Sequence, residues 1–287
     1  MPVATSQPYL DLLQKALLFQ LWDEPPVPVS RHRPWRHRLL WWVLKQLDAA
    51  LRPLRLGLVY DRPLTATDRR EGTFWPVHAH TMIGELRLNQ LRAAAETVLR
   101  EGIPGDFIET GVWRGGSCIL LRGVLQAWGV TDRRVIVADS FAGLPPPDLA
   151  RYPQDQGDTL HQVPALAISE AEVRDNFHRY GLLDDQVLFL KGFFEQTLPT
   201  APVDQLAILR LDGDMYGSTI VALNHLYPKL SPGGYCIVDD YFLAPCRQAV
   251  ADYRRDHEIT EPLIPIDASS VYWRRAPQAG SPNTGPS

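Results

Sequence analysis

Four aspartates fall in two short stretches that could do chemistry together. Leu209 to Thr219 reads LRLDGDMYGST, an apolar approach ending in Asp212 and Asp214, and GGYCIVDDYF repeats the pattern with Asp239 and Asp240. On an extended chain, side chains two apart point the same way. Consecutive strands are usually neighbours, so up to four carboxylates meet at one rim. Like charges that close raise one another's pKa values or hold a cation between them. A hard divalent ion with oxygen ligands, Mg²⁺ keeping some of its waters, meets that need. The plainer account is that Asp212 opens a turn and Asp240 caps a helix.

A second constellation is ETGVWRGGS, from Glu109 to Ser117. A phosphate-gripping loop needs a lysine after its last glycine, whereas Gly116 is followed by Ser117 and Cys118. A dinucleotide turn needs G-x-G-x-x-G, but the glycines here are Gly111, Gly115 and Gly116, and Glu109 would repel a diphosphate. S-adenosylmethionine carries a cationic ammonium and sulfonium, so an acidic residue at the turn favours it, and Gly111 lets the backbone come close. Asp139, in VIVADSFAGLP, ends the next strand where a carboxylate accepts both ribose hydroxyls. Phe141 beside it is suited to cover an adenine face. The expected cofactor site is Glu109, Thr110 and Gly111 on one turn with Asp139, Ser140 and Phe141 on the other. An aspartate after a strand is, taken singly, a turn residue more often than a ligand.

Positioning these groups is the task of the surrounding elements. GDFIETG, RRVIVADS, QVLFLKG, LAILRLDGD and GGYCIVDDY read as strands, separated by helical stretches such as EAEVRDNFHRYG and STIVALNHLYPKL. That alternation predicts an α/β domain over residues 76–275, with a mostly parallel sheet, helices on both faces and ligands at the carboxyl ends of the strands. Residues 1–75 form an N-terminal arm. YLDLLQKALLFQLW and HRLLWWVLKQLDAALRPL read as its two helices, joined by a proline-rich connector with Arg31, Arg33, Arg36 and Arg38 among Trp35, Trp41 and Trp42. A basic, tryptophan-rich segment can dock on membranes or acidic partners. Helices broken by proline fit better as cover for the acceptor site or a subunit interface, hence a homo-oligomer. Residues 276–287, small, polar and proline-containing, are expected to be disordered.

The chain of 287 residues is long enough for a full core, and its 45 % hydrophobic and 22 % charged composition is that of a globular protein. A formal charge of -4 gives no general attraction to nucleic acid. No apolar run reaches the roughly 20 residues needed to span a bilayer, and the N-terminus lacks an export signal. Three cysteines without a C-x-x-C pair argue against a disulfide framework or a cysteine zinc site, and for a reducing cytoplasm.

Taken in order, FIETGVWRGGS, ADSFAGLPPPD, LRLDGDMYGST, ALNHLYPKLSPGGY and IVDDY, with TMIGELRLNQL before them, resemble the TylF-type macrocin O-methyltransferases from about Thr81 to Tyr253. The resemblance implies a Rossmann-like methyltransferase fold with a seven-stranded sheet. It implies S-adenosylmethionine around Glu109, Gly111, Ser117 and Asp139, Mg²⁺ on Asp212, Asp239 and Asp240, and Asp214 as the base. The acceptor it implies is a small hydroxylated molecule, a sugar moiety in natural-product biosynthesis. The segment from about Arg31 to Arg55 looks longer than is usual in the family. GLPPPDLARYPQDQGDTLHQVP reads as a lid, and His161 within it is a further candidate base. Two other readings stay open: a catechol-type O-methyltransferase, marked by an aromatic-lined acceptor pocket, and an idle methyltransferase-fold subunit recruiting a partner.

Overall fold

Apolar residues at successive strand positions divide between two faces, and that division organises the molecule. The computed structural model describes residues 6–31, 37–61 and 64–276. In chain order the elements are α1 (Ser6–Leu17), β1 (Val27–Pro28), α2 (Arg38–Leu51), β2 (Val59–Tyr60), α3 (Ala66–Glu71), α4 (Glu85–Arg100), β3 (Asp106–Thr110), α5 (Gly116–Ala127) and β4 (Val135–Asp139). They continue with α6 (Glu170–Arg179), β5 (Val187–Lys191), α7 (Phe194–Thr197), β6 (Leu206–Leu211), α8 (Tyr216–Leu226), β7 (Leu230–Val238), α9 (Ala244–Asp256), β8 (Ile264–Pro265) and β9 (Val271–Arg274). Phe107, Val135, Val137, Ile208 and Ile237 face one core with apolar residues of α1, α4, α5 and α6. Ile108, Ile136, Leu209, Leu211 and Val238 face the other, shared with α8 and α9. The two-residue period of a strand produces this split.

The sheet has seven strands in the order β5-β4-β3-β6-β7-β9-β8. Strands β3 to β7 are mutually parallel, and β9 and β8 add antiparallel at one edge. The expected mostly parallel sheet is present. The two edge strands have no counterpart among the strands read from periodicity, because β8 has two residues and β9 four, too few for an alternating pattern to register. After β5 the chain returns across the sheet to place β6 on the other side of β3. That reversal opens the crevice in which such sheets bind ligands.

The N-terminal region divides into two parts. α1 shares the main core through Leu10, Leu13 and Leu17, and it sits so close to α5 that a Cβ on Gly123 would lie 2.3 Å from Leu13 Cδ2. It ends earlier than the apolar run suggests, because Phe19 turns left-handed at φ 56 and the Gln20 N–H closes on Lys15 O at 2.7 Å. α2 stands apart. Only Asp48 of it is buried, accepting the Leu58 N–H at 2.9 Å, while Leu39 is 77 % and Trp42 59 % exposed. Trp41 packs edge-on against Tyr60 with centroids 5.3 Å apart. Arg33, Trp35, Arg36 and the tail from 277 onward lie outside the described residues.

Candidate functional site

Strand register decides which residues meet. Thr110 pairs with Ala138 on one side and Leu211 on the other, and Leu211 pairs with Val238. The next residue of each strand, Asp139, Gly111, Asp212 and Asp239, therefore forms one row across the carboxyl edge. The ladder continues into this row: Gly111 N–H donates to Ala138 O at 2.8 Å, Asp212 N–H to Thr110 O at 2.9 Å and Asp239 N–H to Leu211 O at 2.9 Å. Adjacent strands lie about 4.8 Å apart, so Asp212 and Asp239 are side by side. Gly111 has φ +87, and a Cβ there would stand 1.7 Å from Asp212 O; no side chain fits this crossing of the two main chains.

Asp214 reaches the rim by a different route from the extended one expected. The chain turns at this residue, which is left-handed at φ 58, a conformation aspartate tolerates better than most residues. Its N–H then donates to Asp240 Oδ2 at 3.1 Å. One carboxylate oxygen from each of Asp212, Asp239 and Asp240 lies within 4.8 Å of the others. The Asp212 and Asp240 carboxylates therefore face each other as like charges, a repulsion that a proton or a cation between them relieves. Three converging carboxylates with that unmet charge suit a hard divalent ion.

Arg210 lies within this cluster, only 1 % exposed. Its guanidinium donates to Glu109 and Asp239 and, at 2.7 Å, to Asp212 Oδ2. Arg87 holds the other oxygen of Asp239 at 2.6 Å and pairs with Asp267 at 3.0 Å. Glu109 also accepts from the Cys118 thiol at 2.8 Å. Even so, Glu109, Asp212, Asp214, Asp239 and Asp240 outnumber the two guanidiniums. Burial pushes Glu109 up to about 7 against the pull of Arg210. Asp214 also rises to about 7, through burial and then the charges of Asp212, Asp158 and Asp239. Asp212 and Asp240 are raised by burial and by their acidic neighbours.

Two adjoining cavities open on the row. The first is lined by Gly111, Asp139, Ser140, Phe193, Phe194 and Ser218 among others. The second is lined by Glu109, Ser117, Arg87, Asp239 and Asp240, with Phe74, Trp75 and Phe242 around them. Met82, Trp113, Leu166, Asp212 and Asp214 line both. Asp139 receives the Val112 N–H at 2.8 Å and the Phe141 N–H at 2.7 Å, so it braces the Gly111 turn as well as facing the first cavity. Burial raises its pKa while those two N–H groups oppose the rise.

Three expected residues sit differently from expectation. Phe141 is 7 % exposed and packs against Phe189 at 6.0 Å in the core rather than lining either cavity; Phe193 and Phe194 supply the aromatic wall instead. The Thr110 side chain is buried within the sheet, its hydroxyl 3.5 Å from Arg210 O. The His161 ring lies beside its neighbour Gln162 at 3.3 Å, and Leu160 is the residue of that turn that reaches the second cavity.

Sequence reading also passed over Arg210, Arg87, Trp113 and Asp155. A signal for the first existed: an arginine within LAILRL, a buried strand, must find anionic partners. Asp155 left none, since its role arises at long range. It is 1 % exposed and accepts the Tyr216 and Gly217 N–H groups at 2.6 and 3.0 Å. It thereby caps α8 from the long loop between β4 and α6. Trp113 ties the same loop down from the other side, its indole N–H on Ala165 O at 2.9 Å.

Comparison with known proteins bears on this geometry. A family model described as macrocin-O-methyltransferase (TylF) matches residues 6–275. The mycinamicin III 3''-O-methyltransferase of Micromonospora griseorubida is 51 % identical over 223 residues, covering 77 % of this chain and 88 % of that one. The demethyldecarbamoylnovobiocin O-methyltransferase of Streptomyces niveus is 54 % identical over 209 residues, 72 % of this chain and 80 % of the relative. The solved structure of the O-methyltransferase NovP superposes with a TM-score of 0.80 at 45 % identity, covering 95 % of this chain and all of that one.

Proposed function

The chain belongs to the TylF macrocin O-methyltransferase family, and on that premise we propose that it methylates a sugar hydroxyl of a glycosylated natural product, using S-adenosylmethionine and Mg²⁺. The observation that carries this reading is the shared wall: Asp212 and Asp214 line both cavities, so a donor in one and an acceptor in the other meet beside two carboxylates. The names of the relatives from Micromonospora griseorubida and Streptomyces niveus support the acceptor class.

S-adenosylmethionine supplies a methyl group on a cationic sulfur. Asp139 and Ser140, which line the first cavity, would receive its ribose, and Phe193 and Phe194 would offer the apolar wall for its base. Glu109, beside Gly111 but lining the second cavity, would act on its ammonium only where the cofactor reaches the junction of the two cavities. Asp212, Asp239 and Asp240 would hold Mg²⁺, which when bound would supply Lewis acidity toward the acceptor hydroxyl. Asp214 takes the hydroxyl proton, and its burial beside the junction raises its basicity above that of an ordinary carboxylate. Trp113, Met82 and Leu166 keep water from the meeting point. The loop held by Asp155 and Trp113 acts as the lid.

Titration calorimetry with S-adenosylhomocysteine tests the cofactor assignment. Asp139→Asn is expected to weaken binding by roughly 1.5–3 kcal/mol, the worth of a hydrogen bond to a charged group; unchanged affinity would remove Asp139 from the cofactor site. One observation favours a second reading, since Phe74, Trp75, Trp113 and Phe242 around the second cavity also suit a flat phenolic acceptor. Methyl transfer assayed on a glycoside and on its phenolic aglycone separates the two.

The exposed apolar face of α2 is assigned to a second copy of the chain. Leu39, Leu40, Val43 and Leu47 are all exposed on it, and burying such a stripe favours association. Sedimentation should give a dimer, with Val43→Asp shifting it toward monomer; a wild type that stays monomeric at micromolar concentration would remove this assignment. Among the described residues no helix is long and apolar enough to cross a membrane. The three cysteines are buried free thiols, in keeping with the cytoplasm as the site of action.

A further inference from the structure

Arg210 occupies a special place in the sheet. Its strand, β6, lies between β3 and β7, and Arg210 is paired in register with Glu109 on one side and Ile237 on the other. The side chain thus runs up the carboxyl edge between the tips of three strands. It meets Glu109 from β3, Asp212 two residues along its own chain, and Asp239 just past β7. A planar guanidinium can serve several carboxylates in fixed directions, whereas an ammonium is a point charge on a flexible stem.

Asp239 is held from both sides. Arg210 donates to Oδ1 and Arg87 to Oδ2, so the plane of this carboxylate is set. Arg87 in turn belongs to α4 and reaches Glu71 O at 3.4 Å, linking the segment before the second cavity to the acidic rim. Asp240 is positioned by other means, through the Asp214 N–H.

We infer that Arg210 and Arg87 are positioning residues that fix Asp212 and Asp239 in the metal-holding arrangement before an ion arrives. The inference rests on the metal reading proposed above. The two guanidiniums oppose the mutual repulsion of the carboxylates, and they remove rotamer freedom that the ion would otherwise have to overcome. Carboxylate oxygens carry more than one acceptor direction, so an oxygen held by an arginine still has a lone pair for a cation. Partners behind metal ligands act in this way, and their loss typically lowers metal affinity by about 10–100-fold.

The test is Mn²⁺ binding to the full-length protein, followed by electron paramagnetic resonance, with circular dichroism as the check on folding. Wild type is compared with Arg210→Lys, which keeps the charge and loses the fork, and with Arg87→Gln at the rim. Both variants are expected to bind Mn²⁺ about 10–100-fold more weakly while keeping a wild-type far-ultraviolet spectrum. Folded variants with wild-type Mn²⁺ affinity would overturn the positioning role and leave the metal reading standing. If Arg210→Lys fails to fold, Arg87→Gln decides: a tenfold loss supports the clamp, and wild-type affinity overturns it. A wild type that binds no Mn²⁺ overturns the metal reading and this inference with it.

Discussion

Replacing Asp214 by Asn is expected to lower turnover by roughly 10²–10⁴ while leaving cofactor and metal affinities near those of the wild type. The carboxylate faces the junction of the two cavities, where a departing hydroxyl proton has to be accepted. Its contribution to Asp240 comes from the main chain, the N–H that donates to Oδ2, and an asparagine keeps that N–H. The substitution therefore separates proton removal from ion holding. The measurement is turnover at saturating acceptor alongside Mn²⁺ and S-adenosylhomocysteine affinities. Should Asp214→Asn lose metal binding as severely as Asp212→Asn, the division between base and ligands is wrong.

Removal of divalent ions is the second large effect expected. With a Lewis acid contributing several kcal/mol to the transition state, EDTA should depress turnover by about 10³-fold, with recovery on adding Mg²⁺. Asp240→Asn should need more Mg²⁺ for the same activity. Stability offers an independent readout. Glu109 and Asp214 titrate at about 7 in the folded chain, through burial first, against about 4 when unfolded. Between those values the folded state binds more protons than the unfolded one. The ion-free protein should therefore lose stability as pH rises from about 4 to about 7. A bound cation relieves the repulsion that grows over this range, so the rise in Tm on adding Mg²⁺ should be larger at pH 8 than at pH 5. An equal rise at both values, or activity indifferent to EDTA, would remove the metal from the mechanism.

Much of the sheet and of the row along its carboxyl edge is legible in the sequence, because burial imprints short periods on it. Apolar strands alternating with helices have few stable arrangements, and parallel strands bring their carboxyl ends to one edge. Once β3, β4, β6 and β7 were recognised, Gly111, Asp139, Asp212 and Asp239 had to lie along that edge. Local chemistry at that turn favours a cation over a diphosphate, because Glu109 lies beside it. What stayed hidden depends on pairings far apart in the chain. Glu109 and Arg210 are separated by 101 positions, and they meet only because β6 returns to the flank of β3. Asp155 reaches α8 across 61 and 62 positions, with no local pattern to announce it. The left-handed turn at Asp214 overrode strand alternation, since the Asp240 carboxylate captures its N–H. Phe141 has the composition of a ligand contact and the surroundings of a core residue, and Phe177 and Phe189 in the same apolar cluster decided between them. Short-range periodicity records which face of an element is buried; it carries no record of which distant charge will neutralise another, because that is set when the strands are packed side by side.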